Sequence, residues 1–489
     1  MALIPSIFKA DHPVNTWLKP GAPLLVAILL PLVIFFQQFL LSLSSATLST
    51  GLESMTAVEE PEDPGVASLT VSAKLLIKVR HASVDALARR GFEAEPPTDD
   101  ELDHLDEQAI NRVDKLRVAM VAGELFGPEA ALTRLDALSA VADPSGPVAA
   151  DIDWLRRWYT ENIPAADGSL PASTVTPEAI DALIDRHGWF AQLAFSLGKH
   201  ESDPLRWSAV SGGERFLAFS VLWLVLLGTL ALAGIIVLIV WFTRLQRGAL
   251  VFQADPPSAP AQVYYETFAV FCLIFLFGDM FAVAVLGETS SLALMLSQVL
   301  IWACALAMLW PRLRGVPRME FADDLGISPG EGFSREVIIG FGAFVASRPA
   351  LSLTSFLIST LSELFGDATE QVGVPMYEQP LSHSWVLVVL GALVSVIWAP
   401  FVEEALFRGT LLAALREKVG PAAAIGVSSL AFGAIHPYPV SGLIYVTVMG
   451  LILGLLRHWR GSLIAPITLH LLHNAQIECA TLGTILLID

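Results

Sequence analysis

Apolar residues form long uninterrupted runs along most of this chain. The first run covers Pro23–Leu43, and at 1.5 Å per residue it is long enough to cross a hydrocarbon core of about 30 Å. Eight further runs follow downstream, at 216–242, 264–286, 291–310, 336–361, 384–407, 421–437, 440–456 and 463–487. The pattern predicts an all-α fold, a polytopic membrane helix bundle of about 8–9 spans.

The first run is longer than the apolar core of a secretory signal peptide, which covers about 7–15 residues. The small-residue stretch Leu43-Ser44-Ser45-Ala46 is only a weak match to a cleavage site. We therefore expect residues 1–45 to be an N-terminal membrane anchor.

Residues 46–210 follow a different pattern. Apolar positions recur there at helical spacing, and Pro and Gly residues separate the segments. The region contains about 28 Asp and Glu against 14 Lys and Arg, in a chain with a net charge of −19. We predict an acidic all-helical extramembrane domain with a solvated surface and no catalytic cluster, which can bind a protein partner. We expect no nucleic-acid partner.

Lys and Arg side chains flank the spans in a way that predicts orientation, because cytoplasmic loops carry the excess of positive charge. The clusters are Lys9 and Lys19, Arg244 and Arg247, Arg312 to Arg318, Arg416 and Lys418, and Arg457 and Arg460. All of them fall on one side if the N-terminus is cytoplasmic, which places the 46–210 domain outside. The Ala- and Leu-rich composition is typical of bacteria, so we expect a multi-pass protein of a bacterial cell membrane.

Composition agrees with a chain that has the lipid bilayer as its main partner. It is 54% hydrophobic and 16% charged, with a mean hydropathy of +0.61, whereas soluble domains are about 25% charged. The three cysteines, Cys272, Cys304 and Cys479, lie in apolar runs and have no metal-binding or disulfide spacing. We interpret them as small buried hydrophobic residues.

Titratable groups inside the last apolar runs are the candidate chemistry, since an ionisable side chain at membrane depth is a functional-site hypothesis. Glu404 and Arg408 are four residues apart, so on a helix they can form an ion pair. Glu403 points about 100° away from them and is available to another partner. A carboxylate in an apolar setting suits a general base that works near neutral pH. A purely structural salt bridge at a helix end is the alternative.

Three histidines are further candidates. His436 ends an apolar run, where a structural polar contact is the alternative to a catalytic role. His470 and Asn474 are four residues apart and share a helix face, where they can offer N–H donors to an oxyanion. His473 lies on a neighbouring face, and spacing alone does not decide between it and His470.

At these residues the chain resembles the CAAX prenyl endopeptidase family, the CPBP or Abi group of intramembrane glutamic endopeptidases. The resemblance rests on Glu403-Glu404-x-x-x-Arg408, Phe432-x-x-x-His436 and His470-x-x-x-Asn474, which occur in this order, each inside a hydrophobic segment. The stretches Leu325-Gly326-Ile327 and Gly461 to Pro466 are also similar to family members. The resemblance covers about residues 320–489 and leaves the acidic insert outside.

The resemblance implies peptide-bond hydrolysis by a glutamate-based mechanism. Glu403 and His436 would activate a water molecule, while His470 and Asn474 would stabilise the tetrahedral oxyanion. If the enzyme uses zinc instead, the ligands would be Glu403, His436 and His470. We expect no metal cofactor, because the amide of Asn474 is a poor zinc ligand.

The resemblance also implies that Glu404 and Arg408 support the first glutamate's helix. It divides the membrane part into accessory helices at 211–318 and a protease core at 319–489. The expected substrate is a membrane-associated peptide or protein. Two other functions stay open at this point, namely a catalytically silent scaffold whose insert binds a partner, and a solute transporter with a proton path. The titratable groups gather in one half of the chain, without the paired half-repeats of many transporters.

The predicted spans leave one mismatch of depth. Glu403 lies near the cytoplasmic end of the run at 384–407, whereas His436 lies about 24 Å from Gly420 along a helix. The sequence therefore predicts that the helix before His436 begins outside the bilayer, or that 409–442 is broken and lines a water-filled cavity.

Overall fold

Every regular element of the described chain is helical. The computed structural model describes residues 22–34, 68–109, 111–141, 147–162, 174–248, 257–286, 302–365, 385–436 and 438–488. Within these ranges there is no β-strand. The all-α fold predicted from the apolar periodicity is confirmed.

The chain divides into two units. The membrane unit comprises Met1–Leu43, Val225–Met376 and Val389–Cys479, and the acidic unit comprises Ser44–Leu224, Tyr377–Val388 and Ala480–Asp489. The four segments expected from the sequence (1–45, 46–210, 211–318 and 319–489) divide the chain by another criterion and stay a prediction.

The acidic unit is built from short helices that follow the apolar helix α1 (Ala22–Ile34). They are α2 (Ser68–Ala88), α3 (Asp99–Gln108), α4 (Arg112–Phe126), α5 (Pro128–Val141), α6 (Pro147–Glu161), α7 (Pro177–His187), α8 (Trp189–Phe195) and α9 (Pro204–Val210). Side-chain caps fix several starts, such as Asn111 Oδ1, which accepts from the backbone N–H of Asp114 at 2.8 Å.

The core of the acidic unit surrounds the middle of α4. Val118, Met120 and Val121 have no solvent exposure, although the helix is polar at both ends. Phe190 and Tyr159 from neighbouring helices are fully buried in the same cluster. Burial of these large side chains, rather than strong helix propensity, stabilises such short helices.

The membrane unit contains longer and more apolar helices. They are α10 (Gly213–Gln246), α11 (Ala261–Leu286), a 3-10 segment Cys304–Leu309 followed by α12 (Trp310–Leu313), α13 (Arg318–Leu325), α14 (Phe333–Phe365), α15 (from Trp385 to Val419), α16 (Pro421–Ala434), α17 (Val440–Arg460) and α18 (Ile464–Ile488). The first residues of α10 and the last of α18 belong to the acidic unit.

Six helices of the described chain are long and apolar enough to cross a membrane. They are Pro204–Gln246, Ala261–Gly278, Phe333–Leu361, Val388–Val419, Val440–Arg460 and Ile464–Ile488. The expected count of 8–9 spans is not confirmed. The run at 291–310 lies largely outside the described residues, and α16 has only 14 residues, about 21 Å of helix.

Burial separates lipid-facing from interior spans. Only 6% of the most apolar stretch of α10 is buried, whereas 61% of the corresponding stretch of α11 is buried. Contact of this exposed apolar surface with water, at side chains such as Leu222 and Ile236, would be unfavourable. The chain is therefore a membrane protein with several spanning helices.

Ion pairs connect the helices of the membrane unit. Glu266 on α11 accepts from Arg314 Nε at 2.6 Å and from the Trp310 indole at 2.9 Å, which makes it an interhelical polar contact. Arg460 on α17 pairs with Glu336 on α14 at 2.6 Å. The side chain of Asp279, another ionisable residue near a span, lies outside the described residues.

Helix α15 is a continuous helix with two wide turns. Its α-helical parts are Trp385–Leu393, Ala399–Glu403 and Leu412–Val419, and its π-helical parts are Val394–Trp398 and Glu404–Leu411. It continues well beyond residue 407, where the apolar run ended. Gly420, with a φ of 80° that favours glycine, then turns the chain into α16.

Candidate active site

Glu404 is the carboxylate at the centre of the buried polar cluster. Its Oε1 accepts from Arg408 Nη1 at 3.0 Å and from His470 Nδ1 at 3.0 Å. The side chains of Glu404 and Arg408 are 0% and 1% exposed, and that of His470 is 6% exposed. The ion pair predicted from the four-residue spacing is confirmed. The contact with His470 joins α15 to α18 and was not predicted.

The π-helical backbone around Glu404 shapes this cluster. A π-turn carries one residue more than an α-turn and is frequent at functional sites. The segment Glu404–Leu411 is completely buried, so the wide turn presents Glu404 and Arg408 to the interior rather than to lipid. Arg408 also donates from Nη2 to the Gly450 carbonyl at 3.2 Å on α17.

His436 lies in the turn after α16. Its Nδ1 is 2.7 Å from the Phe432 carbonyl oxygen, and since a carbonyl only accepts, Nδ1 carries the proton. In the neutral imidazole Nε2 is then the acceptor. The ring also stacks on Tyr438, with centroids 5.5 Å apart. The fold thus selects the tautomer of His436 that can take a proton from water.

Phe432 is the common neighbour of the site residues. Its ring meets that of His436 edge to face at 5.0 Å and that of His470 at 5.9 Å. The Arg408 guanidinium lies over the same ring at 4.1 Å, within the range of a cation–π contact. The two histidines, which come from α18 and the turn after α16, are therefore brought to one aromatic side chain.

Glu403 is half-buried and occupies a different face of α15 from Glu404. Its charge acts electrostatically on His436, Tyr438 and Arg408. Among the described residues no direct hydrogen bond connects Glu403 to His436. The two groups therefore interact through their charges rather than by direct contact.

Asn474 and His473 have different partners. Asn474 Nδ2 donates to the Ser395 carbonyl at 2.7 Å, inside the first π-helical part of α15. His473 Nδ1 instead accepts from Arg348 Nη2 at 3.1 Å. Spacing in the sequence did not distinguish the two histidines. In the structure they have different partners, since His470 contacts Glu404 and His473 contacts Arg348 on α14.

Sequence reasoning missed the buried cluster around Arg348. This guanidinium donates to Gln476 Oε1 at 2.9 Å as well as to His473, and it lies over the Phe344 ring at 4.3 Å. An arginine in the middle of the apolar run at 336–361 was a visible signal. Its partners on α18 were not visible, because they lie more than a hundred residues away.

The depth mismatch has a structural answer. Helix α15 continues to Val419, so Glu403 and His436 are almost equally far from Gly420 along the chain, about 26 Å and about 24 Å at 1.5 Å per residue. Where the helix before His436 begins relative to the bilayer stays a prediction.

The donor geometry bears on the zinc alternative. Three protein ligands on one zinc ion lie within about 3–4 Å of one another. Within the described ranges, three His, Cys, Asp or Glu ligand atoms within 4.8 Å of one another are found only at His81, Asp85 and Glu201. Glu403, His436 and His470 do not form such a set. The expected absence of a metal cofactor stays a prediction.

The region that contains the three motifs matches a known protein family. Residues 385–476 match the model of the type II CAAX prenyl endopeptidase Rce1-like family. This segment is an Rce1-like region. No curated protein and no solved structure matches the chain significantly.

The Rce1-like region includes the residues that contact Phe432, together with Glu403 on α15 and Asn474 on α18. It excludes helices α2 to α9 of the acidic unit and helices α10 to α14. The resemblance stated from the three motifs is confirmed for this region, and the family consists of endopeptidases. The roles of individual residues are not decided by the match.

Proposed function

We propose that this protein is an intramembrane endopeptidase that hydrolyses peptide bonds of a membrane-associated protein or peptide. The observation that carries the proposal is the convergence of two imidazoles on Phe432 within the Rce1-like region, with the Glu404 carboxylate bonded to one and the charge of Glu403 acting on the other. Buried ionisable groups at membrane depth need a reason, and a hydrolytic centre supplies one.

In the proposed mechanism Glu403 and His436 activate a water molecule between them. The water donates one proton towards this pair, at His436 Nε2 or the Glu403 carboxylate, while its oxygen attacks the scissile carbonyl carbon. The fixed Nδ1–H of His436 supports this, because it leaves Nε2 with a lone pair. The collected proton then passes to the leaving amine as the C–N bond breaks.

His470 and Asn474 stabilise the oxyanion in this proposal. Asn474 uses one amide N–H on Ser395 and retains a second one for the substrate oxygen. His470 donates its Nδ1–H to Glu404, so it presents Nε2 to the site. A proton on Nε2 makes it a donor to the oxyanion, and the Glu404 carboxylate balances the positive charge of the ring.

Glu404 and Arg408 are positioning residues in this mechanism. The direct contact between Glu404 and His470 indicates that Glu404 orients an imidazole, beyond supporting the helix of Glu403. Arg408 holds the carboxylate in place from the same helix and anchors it to α17.

Two substitutions test the proposal. Purified Glu403→Gln and His436→Ala proteins in detergent should each cleave a peptide library about 10²–10⁴-fold more slowly than wild type, the range for loss of a general base. Glu417→Gln, an exposed glutamate near the end of α15, is the matched control and should cleave normally. Unchanged cleavage by Glu403→Gln would reject the assignment.

A chelator in the same assay addresses zinc. Retained cleavage rejects a metal-dependent variant, while loss of cleavage that added Zn²⁺ restores supports it. If the wild-type protein cleaves no peptide at all, the silent scaffold is the better interpretation.

We also propose that this is a protein of a bacterial cell membrane, with a cytoplasmic N-terminus and an extracytoplasmic 46–210 domain. The distribution of Lys and Arg supports this. In a Cys479→Ser background, a membrane-impermeant thiol reagent on whole cells should label Asp103→Cys and spare Lys418→Cys. The reverse labelling pattern would invert the orientation.

A further inference from the structure

A group of metal-ligand side chains lies in the acidic unit, far along the chain from the Rce1-like region. His81 and Asp85 are four residues apart on α2, and Glu201 belongs to the turn between α8 and α9. One ligand atom from each of the three lies within 4.8 Å of the other two. The three residues have no part in the peptidase mechanism.

The distances fit a tetrahedral metal centre. Ligand atoms about 2.1 Å from a zinc ion lie about 3.4 Å from one another at the corners of a tetrahedron. His81 Nε2 and Glu201 Oε1 are 3.4 Å apart, and this separation exceeds that of a good hydrogen bond. The Asp85 ligand atom lies within 4.8 Å of both, and its side chain is 38% exposed, which leaves it room to approach a bound ion.

The backbone that carries the three ligands is well anchored. Helix α2 is held by two buried side chains near His81. They are Ile77, four residues before it, and Ala82, the residue after it. On the other side of the site, Asp203 caps α9 by accepting from the Leu205 N–H at 2.9 Å, which fixes the end of the turn. The ligands therefore come from two fixed elements rather than from a free loop.

Competing contacts at the site are weak. Arg89 Nη2 approaches Asp85 Oδ2 only to 3.8 Å, and the Arg89 side chain is 69% exposed. Exposed ion pairs of this kind contribute about 0–1 kcal/mol and are easily exchanged. A divalent cation would replace them with shorter bonds, and the excess negative charge of the unit favours its approach.

We propose that His81, Asp85 and Glu201 bind a divalent transition-metal ion of the Zn²⁺ type, with water as the fourth ligand. An imidazole nitrogen among the ligands favours such metals over Mg²⁺ or Ca²⁺, which prefer oxygen donors throughout. The bound ion connects α2 to the turn before α9, two elements 120 positions apart in sequence, and so stabilises the acidic unit.

Metal titration of the full-length protein in detergent tests the proposal. After removal of metal by a chelator, wild type should bind one equivalent of Zn²⁺ that His81→Gln binds at least about tenfold more weakly, since even outer-shell substitutions cost about 10–100-fold. Zn²⁺ should raise the melting temperature of wild type more than that of the variant. Co²⁺ should give the visible absorption of a tetrahedral centre with wild type and lose it with His81→Gln.

Two other histidines of the same unit provide controls. His104 forms an exposed pair with Glu107 at 3.9 Å and belongs to no group of three ligands among the described residues. His200 lies beside Glu201, and its Nδ1 contacts Ser202 Oγ. His104→Gln and His200→Gln should bind Zn²⁺ like wild type. Equal Zn²⁺ binding by wild type and His81→Gln overturns the proposal, and so does a loss that follows His200 instead. All these proteins keep Glu403, His436 and His470, so metal at the peptidase centre would not change the comparison.

Discussion

Each unit of the protein contains a buried carboxylate that contacts one arginine and one histidine. In the acidic unit Asp151 on α6 accepts from Arg186 Nε and His187 Nε2, both at 3.0 Å. In the membrane unit Glu404 accepts from Arg408 and His470, also at 3.0 Å. The chemical groups are the same, but the two clusters differ in how their carboxylate oxygens are hydrogen-bonded and in how exposed their arginines are.

Both oxygens of Asp151 have partners, because Arg186 Nη2 donates to Oδ1. At Glu404 both donors meet Oε1, and Oε2 is buried without a partner among the described residues. The Arg186 side chain is 41% exposed, whereas that of Arg408 is 1% exposed. The Asp151 carboxylate is fully paired, although His187 Nδ1 beside it is buried without a partner among the described residues. A fully paired carboxylate next to a half-exposed arginine is typical of structural support. An unpaired carboxylate oxygen in a dry interior costs stability and indicates function.

The largest expected effect comes from removing the arginines. Arg408→Met leaves the Glu404 carboxylate without its cation in an apolar interior and should destabilise the protein by about 3–5 kcal/mol. Arg186→Met removes a half-exposed partner and should cost about 1 kcal/mol or less. Denaturant midpoints in detergent measure both. Equal losses would show that the two clusters do not differ in environment as the structure indicates.

Removing the histidines should separate catalysis from support. His470→Gln takes away a proposed oxyanion donor and should lower the cleavage rate about 10²–10³-fold. His187→Gln should leave the rate per folded molecule unchanged, since the acidic unit supplies no group to the reaction. Cleavage rates normalised to folded protein decide this. A comparable fall for His187→Gln would argue against confining catalysis to the Rce1-like region.

Packing also differs along one helix of the membrane unit, and two glycine substitutions on α16 test this difference. A Cβ on Gly433 of α16 would lie 2.8 Å from the Leu443 carbonyl oxygen on α17, so Gly433→Ala must separate two backbones. We expect a loss of about 1–3 kcal/mol and slower cleavage, because His436 follows α16 directly. Gly426→Ala meets nothing within 4 Å and should be neutral or slightly stabilising. Thermal melts that fail to separate the two variants would reject this tight contact.

The smallest expected effect is the pH dependence of the Asp151 cluster. Burial raises the pKa of Asp151, but hydrogen bonds from His187 and Arg186 outweigh it and hold the pKa below the usual value of 3.8. Since the folded-state pKa is the lower one, the stabilisation is complete above about pH 4 and is lost as the pH falls through the folded value. The difference in melting temperature between wild type and Asp151→Asn should therefore shrink only below about pH 4. A difference that disappears between pH 5 and 7 would be inconsistent with the lowered pKa.

Features that depend on neighbours along one helix could be predicted from the sequence. The helices themselves, the membrane character and the Glu404–Arg408 pair all follow from spacing within a single segment. The contact between Glu404 and His470 could not be predicted, because it depends on how α15 packs against α18. The spacing of His81 and Asp85 was visible on α2, but Glu201 completes that group only through the fold of the acidic unit.

The end of α15 was misjudged for a related reason. Hydropathy falls after residue 407, so the apolar run stops there, while the buried Arg408 and Thr410 continue the helix into the interior. In a single sequence, a polar residue that is buried in the protein interior lowers the hydropathy in the same way as the end of a membrane span. Burial of Glu404 and Arg408 by surrounding helices, rather than by lipid, makes the longer helix stable.

The two π-turns of α15 restrict how this gene can change in length. Each residue added to or removed from a helix rotates everything beyond it by about 100°. Loss of one residue between Glu404 and Leu411 could restore a regular α-helix, yet it would swing Arg408 or Glu404 out of the interior. Insertions and deletions should therefore be excluded from this short stretch in functional variants, while the acidic unit can accept them between its helices.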